Sequence, residues 1–167
     1  MPKLEPPDTF ALSAALGWME LKNLPEAEAE LAQVSAEHQA HPDVLEVRWL
    51  LCAEKRDWAA ALDVARQVMA VAPERVTGWL HQAYAARRAP GGSLAAAWEV
   101  LLPAAEKFPS VSIIPFNLAC YACQMGELDL AREWLRRAFD AGPKVEIRGM
   151  AMQDEDLRPL WDEIRKM

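Results

Sequence analysis

Two cysteines one helical turn apart, Cys120 and Cys123, are the residues whose type and spacing most directly suggest chemistry. Thiols at this spacing can share a metal ion or form a disulfide. The sequence contains no second Cys-x-x-Cys pair, and its three histidines do not cluster with these cysteines along the chain. We therefore expect both thiols to be small packing or groove residues, with no metal or cofactor. A metal or redox role is the alternative, and it predicts zinc or iron in the purified protein.

The rest of the sequence lacks the motifs that accompany common catalytic sites. There is no phosphate-binding glycine loop, no His-Glu-x-x-His motif and no Gly-x-Ser-x-Gly motif. Paired carboxylates such as Glu26 and Glu30 are typical of solvated helix faces. We therefore expect a protein that is not an enzyme.

The charge balance and the hydropathy of the sequence limit the classes of partner that it can bind. A formal net charge of −7 argues against nucleic acid, because phosphate binding requires a basic surface. The acidic excess lies in residues 1–56, which hold ten acidic and five basic side chains. The longest apolar stretch, Leu94 to Ala105, is interrupted by Glu99 and Pro103 and is too short to cross a bilayer. These features predict a cytoplasmic protein without a membrane partner.

The stretch from Asn117 to Pro143 predicts two amphipathic helices joined by a tight turn. Apolar residues recur at helical spacing in both halves, and Gly126 lies where a left-handed residue ends a helix. The same pattern returns around four alanines separated by 34, 36 and 34 residues, namely Ala27, Ala61, Ala97 and Ala131. The spacing of 36 spans Pro90-Gly91-Gly92, which we interpret as a two-residue insertion in a turn.

This pattern resembles the tetratricopeptide repeat (TPR), a helix hairpin of 34 residues, as found in bacterial TPR proteins. The resemblance implies an all-α fold in which four helix hairpins form a right-handed superhelix and a C-terminal helix caps the last one. The second helix of the first hairpin is expected to reach about Gln39. We place an extended leader at residues 1–7, the hairpins at about residues 8–40, 43–72, 74–108 and 112–143, and the helical cap at residues 144–167.

In TPR proteins the first helix of each hairpin lines a concave groove, so the resemblance also implies where a ligand binds. It implies a protein or peptide partner, held by a chain that is a monomer or weak homodimer. From the first hairpin the groove residues are Leu12, Leu16, Met19 and Glu20. From the later hairpins they include Leu50, Glu54, Leu80, His81, Tyr84, Arg87, Arg88, Phe116, Asn117, Cys120, Cys123 and Gln124.

Arg87 and Arg88 are placed to pair with a carboxylate of such a peptide. Alternatively, two arginines at the end of a helix face solvent and complement the helix dipole. A second functional hypothesis is a chaperone-like protein that holds a secretion or assembly client, because helical-repeat chaperones of bacterial secretion systems have a similar size and acidity.

Overall fold

The computed structural model describes residues 3–167 and confirms the predicted all-α class, since this part of the chain contains helices and no strands. No helix within it is both long and apolar enough to cross a membrane. Two short 3-10 helices, η1 (Ala36–His38) and η2 (Glu155–Leu160), accompany the α-helices. The α-helices are α1 (Asp8–Glu20), α2 (Leu24–Gln33), α3 (Pro42–Glu54), α4 (Trp58–Val71), α5 (Val76–Arg88), α6 (Leu94–Lys107), α7 (Ile113–Gln124), α8 (Leu128–Ala141), α9 (Lys144–Ala151) and α10 (Trp161–Ile164).

Two compact units divide the chain. Unit 1 ends at Gly92, and unit 2 spans Ser93–Met167. The boundary falls in the Pro90-Gly91-Gly92 turn, so the helices of the predicted third hairpin, residues 74–108, belong to different units.

Unit 1 consists of α1 to α5, each packed against its neighbours in the chain. α1 pairs with α2, and α4 packs against both α3 and α5. The repeat alanines Ala27 and Ala61 have no exposed surface, and larger apolar side chains such as Leu45 and Val68 fill the core beside Ala61. Small residues at these positions let the helix backbones approach closely.

Three turns between helices repeat one backbone geometry. The second residue after the helix has a left-handed conformation in each turn, with φ of 59° at Lys22, 56° at Arg56 and 84° at Gly126. The N–H of the following residue donates a 2.9 Å hydrogen bond to a carbonyl five residues earlier, as in a Schellman motif. These bonds run from Asn23 to Trp18, from Asp57 to Cys52 and from Glu127 to Ala122. Glycine adopts this conformation freely, whereas Lys22 and Arg56 adopt it at a cost.

α2 ends earlier than the sequence predicts, at Gln33 rather than near Gln39. The cause is a long-range contact with the buried side chain of Asp8. Its carboxylate accepts hydrogen bonds from the Ser35 N–H at 2.8 Å and the Ser35 hydroxyl at 2.9 Å, and it lies 2.5 Å from Nδ1 of His38. These bonds hold Ser35 outside the helix and tie the start of α1 to the segment between α2 and α3.

Unit 2 is arranged around α7, which packs against α6, α8 and η2. The repeat alanines Ala97 and Ala131 have no exposed surface, like their counterparts in unit 1. After α8, Gly142 passes so close to Ser112 that a Cβ atom would lie 2.6 Å from the serine hydroxyl oxygen. Glycine is therefore required at this crossing. Arg132 of α8 binds the Glu163 carboxylate through Nε at 2.8 Å and Nη2 at 2.9 Å, which fixes the end of the chain.

Candidate functional site

Three exposed apolar side chains occupy equivalent positions on α1, α3 and α5. Large apolar groups exposed in a regular series often mark an interaction surface. α3 contacts both α1 and α5, so the three positions follow one another across unit 1. The residues are 34 positions apart in the sequence and are Leu16, Leu50 and Tyr84, with exposed fractions of 39%, 37% and 39%.

A cavity of about 380 Å³ adjoins this row. Apolar and aromatic side chains from α1, α3, α4 and α5 form most of its lining, and two charged residues complete it. The lining residues are Met19, Trp49, Leu50, Ala53, Glu54, Arg56, Trp58 and Tyr84. Such a composition, apolar walls with few charged groups, is typical of ligand sites.

Four aromatic rings pack together beside the cavity. The Trp49 ring stacks on the His81 ring with centroids 3.8 Å apart and planes 1° from parallel. The Tyr84 ring meets Trp49 edge-on at 6.1 Å and Trp58 at 5.6 Å. Nε1 of Trp49 and Nδ1 of His81 are buried and have no hydrogen-bond partner within residues 3–167.

The imidazole of His81 is held in its neutral form. Burial lowers the pKa of His81 from 6.5 to about 4, although the nearby Glu46 carboxylate acts in the opposite direction. Glu46 is itself engaged, since it accepts hydrogen bonds from the Thr77 hydroxyl at 2.6 Å and from Arg75 at 3.2 Å. At neutral pH His81 is therefore an uncharged aromatic ring stacked on Trp49.

Two guanidinium groups near the cavity have no carboxylate partner within the described residues. The guanidinium of Arg88 lies 3.4 Å from the Tyr84 ring centroid and 5.5 Å from that of Trp58. Arg56 lines the cavity from the turn between α3 and α4. The Glu54 carboxylate, by contrast, is paired with Lys22 at 3.0 Å. We call the row, the cavity lining and Arg88 together the unit 1 surface; it presents unpaired positive charge beside aromatic rings.

The groove residues predicted on α7 are placed differently. Phe116, Cys120 and Cys123 are buried, and η2 packs against α7. The amide of Asn117 donates to the Ile113 carbonyl of its own helix at 2.8 Å. These side chains are therefore not open to a ligand in this structure.

The C-terminal segment makes specific polar contacts with α7. The Cys120 thiol donates to Oδ2 of Asp154 at 3.5 Å, and Nε2 of Gln124 donates to the Asp156 carbonyl oxygen at 3.3 Å. Leu157, between these contacts and the chain end, has no exposed surface. With the two-residue insertion counted, Cys120 is the α7 counterpart of Tyr84. The row position that is exposed in unit 1 is thus covered in unit 2 by the chain itself.

The thiols of α7 are free and disfavoured as thiolates. Burial raises the pKa of both Cys120 and Cys123, and the carboxylate of Asp154 raises that of Cys120 further. The thiolate is the form that binds metals and exchanges disulfides. Within residues 3–167, no group of three or more histidine, cysteine, aspartate or glutamate side chains is placed to hold a metal ion.

Part of the unit 1 surface lies at predicted groove positions, but the residues at its centre were not predicted. Leu80, His81 and Arg87 are half-buried, whereas Glu54 and Tyr84 are exposed. The missed residues are Trp49, Trp58 and Arg56. No local signal singled out Arg56, since the equivalent turn positions hold Lys22 in the first hairpin and Gly126 in the last.

Two other cavities of similar size offer less to a charged ligand. One of about 390 Å³ in unit 1 contains Lys55, which is paired with Glu28, and Arg48, whose guanidinium donates to the main-chain and side-chain oxygens of Gln39. The other, of about 370 Å³ in unit 2, contains Arg137, which is paired with Glu133 at 3.1 Å. Because these cations already have partners, the unit 1 surface is the stronger candidate.

Compared with known proteins, the chain matches no protein-family model and no curated protein. Its function is therefore inferred from the geometry and charge of the unit 1 surface.

Proposed function

We propose that this chain is a TPR-type superhelical repeat protein that binds an acidic peptide segment of a partner protein on the unit 1 surface, without catalysing a reaction. The single observation that supports this most is the exposed row Leu16, Leu50 and Tyr84 next to two arginines that have no carboxylate partner within residues 3–167. A row spaced along successive helices suits an extended peptide, and guanidinium groups suit its carboxylates.

The proposed ligand combines an apolar anchor with a carboxylate. Burying one leucine or aromatic side chain contributes roughly 1.5–3 kcal/mol, and a hydrogen bond to a charged group contributes about 1.5–3 kcal/mol. Association itself costs at least about 4 kcal/mol. Neither contact suffices alone, so the peptide must place a leucine or aromatic residue in the cavity and an aspartate or glutamate on Arg56 or Arg88.

The site lies on unit 1 in this proposal because the equivalent face of α7 is covered by residues 154–160. That arrangement supports the ligand chemistry as well. The covering segment combines a carboxylate with a leucine anchor: the Asp154 carboxylate accepts from the Cys120 thiol, the main-chain carbonyl of Asp156 accepts from Gln124, and Leu157 is buried.

Selection from a displayed random dodecapeptide library, with the full chain as bait, tests this proposal. We expect enrichment of peptides in which aspartate or glutamate lies within a few residues of leucine or an aromatic residue. A labelled copy of the most enriched sequence, called the selected peptide below, is then titrated by fluorescence anisotropy. Arg56→Glu combined with Arg88→Glu is expected to weaken its binding by roughly tenfold or more.

The matched control reverses two arginines elsewhere, Arg66 and Arg136, both of which are exposed on α4 and α8. Arg66→Glu with Arg136→Glu changes the net charge by the same amount and should leave the affinity within about twofold. Enrichment of basic peptides, or equal losses in both double variants, would contradict the proposal.

A further inference from the structure

The outer face of α1 and Leu21, the residue that directly follows the helix, form an apolar stripe that the described residues leave uncovered. Phe10 and Leu21 are exposed by 68% and 72%. Between them, a Cβ atom built on Gly17 meets nothing within 4 Å, and Ala14 is only partly covered. The opposite face of the same helix carries the buried residues Ala15 and Met19.

The spacing of this stripe is that of a helix–helix contact. Phe10, Ala14, Gly17 and Leu21 are separated by four, three and four positions, the spacing that keeps side chains on one face over successive turns. Small residues at the centre let a second helix come close, and large residues at both ends cover its flanks.

The stripe is also complementary to itself when reversed. Laid antiparallel against a second copy, Phe10 of one helix meets Leu21 of the other, and Ala14 meets Gly17. The same register places Glu20 opposite Ala11, so it brings no carboxylates directly together. A twofold axis between Ala14 and Gly17 generates this pairing, as an isologous interface requires.

We propose that this stripe is the interface of a homodimer in which α1 packs antiparallel against α1 of a second copy. The interface is distinct from the unit 1 surface and is independent of the proposed function.

The exposed area sets the strength of this dimer. A large apolar side chain contributes up to about 200 Å², so two copies of Phe10 and Leu21 supply roughly 500 Å². Surface flanking the stripe adds to this, and the total stays below the roughly 1,200 Å² at which stable interfaces begin. The dimer is therefore weak and depends on concentration, and it is little affected by salt because the stripe carries no charge.

Cysteine pairing across the interface tests the register. Phe10→Cys and Leu21→Cys are made separately in a Cys52→Ser background, on chains that differ in mass by a tag, and are mixed under mild oxidation. We expect the disulfide between Cys at position 10 and Cys at position 21 to form much faster than either symmetric disulfide. In the proposed register two copies of position 10 lie about 16 Å apart along the helix axis.

Sedimentation velocity of the unmodified chain provides the second measurement. The weight-average mass is expected to rise with concentration, and Phe10→Asp should weaken the association by roughly tenfold or more. Val145→Asp, at an apolar position on α9 that is 79% exposed, is the matched control and should change nothing. A monomer at all concentrations, faster symmetric disulfides, or an equal effect of Val145→Asp would overturn the proposal.

Discussion

Arg56 combines a left-handed backbone conformation with a side chain that lines the candidate site. Its φ of 56° is a left-handed conformation, which costs an L-residue other than glycine roughly 1–2 kcal/mol. Its side chain lines the cavity of the unit 1 surface. The equivalent turns hold Lys22, which has the same strained conformation, and Gly126, which shows that the fold accepts glycine at this position.

Replacing Arg56 with glycine separates stability from binding. The change relieves the backbone strain, so the free energy of unfolding should stay the same or rise by up to about 1 kcal/mol. Affinity for the selected peptide should fall several-fold, because a cation of the site is lost. Urea unfolding and peptide titration measure the two effects. A destabilised variant with full affinity would show that Arg56 has a structural role instead.

His81 gives the molecule a characteristic response to acid. Because its pKa is about 4 in the folded chain and ordinarily 6.5, the unfolded chain binds more protons between these values, and stability falls as the pH is lowered from 6.5 to 4. His81→Phe keeps a ring stacked on Trp49 and removes this titration. Unfolding free energies measured at several pH values should therefore show a flatter profile for the variant. Parallel profiles would mean that His81 is not buried as a neutral ring.

At the scale of elements, the hairpin depends on small residues where two helices cross. Ala131 of α8 has no exposed surface, and α8 packs against α7. Ala131→Leu adds volume to a filled contact and should destabilise the fold by about 1–3 kcal/mol. Ala95→Leu, at an exposed position on α6, is the control and should change stability by less than about 0.5 kcal/mol. Thermal or urea unfolding of both variants checks this, and equal midpoints would contradict the close crossing.

Local patterns predicted the elements, and long-range contacts account for the differences. Helical periodicity and turn residues were sufficient for the all-α class, because these signals act within one or two turns of a helix. The end of α2 at Gln33 depends on Asp8, 27 residues from its partner Ser35. The covering of Cys120 depends on Asp154, 34 residues away. The spacing of residues along the chain does not predict such long-range contacts.

The centre of the candidate site could not be predicted from local sequence patterns either. Tyr84 and Arg88 follow from their repeat positions, whereas the stacking of His81 on Trp49 requires the two helices to be packed. Trp49 stands where the other repeats of this chain have alanine, at Ala15, Ala83 and Ala119, and its ring lines the cavity.

For the molecule as a whole, the distribution of ion pairs matters more than the net charge of −7. Carboxylates near the unit 1 surface are engaged: Glu54 pairs with Lys22, and Asp43 with Arg75 at 2.5 Å. Arg56 and Arg88 have no carboxylate partner in the part of the chain that the structure describes, so a negatively charged protein presents a locally positive site. At physiological salt, charges more than about 8 Å away are largely screened. The charges within the site, and not the net charge of the chain, therefore determine which ligands it attracts.

Photo-crosslinking tests the central proposal, that an acidic peptide lies along the unit 1 surface, most directly. One variant carries p-benzoylphenylalanine in place of Leu50, and the other carries it in place of Leu102 on α6. The two positions are matched in exposure, at 37% for Leu50 and 39% for Leu102. We expect the selected peptide to be captured at position 50 and not at position 102, and Arg56→Glu with Arg88→Glu to reduce the capture strongly. Capture at position 102, or capture at position 50 that survives the charge reversal, would contradict the proposal.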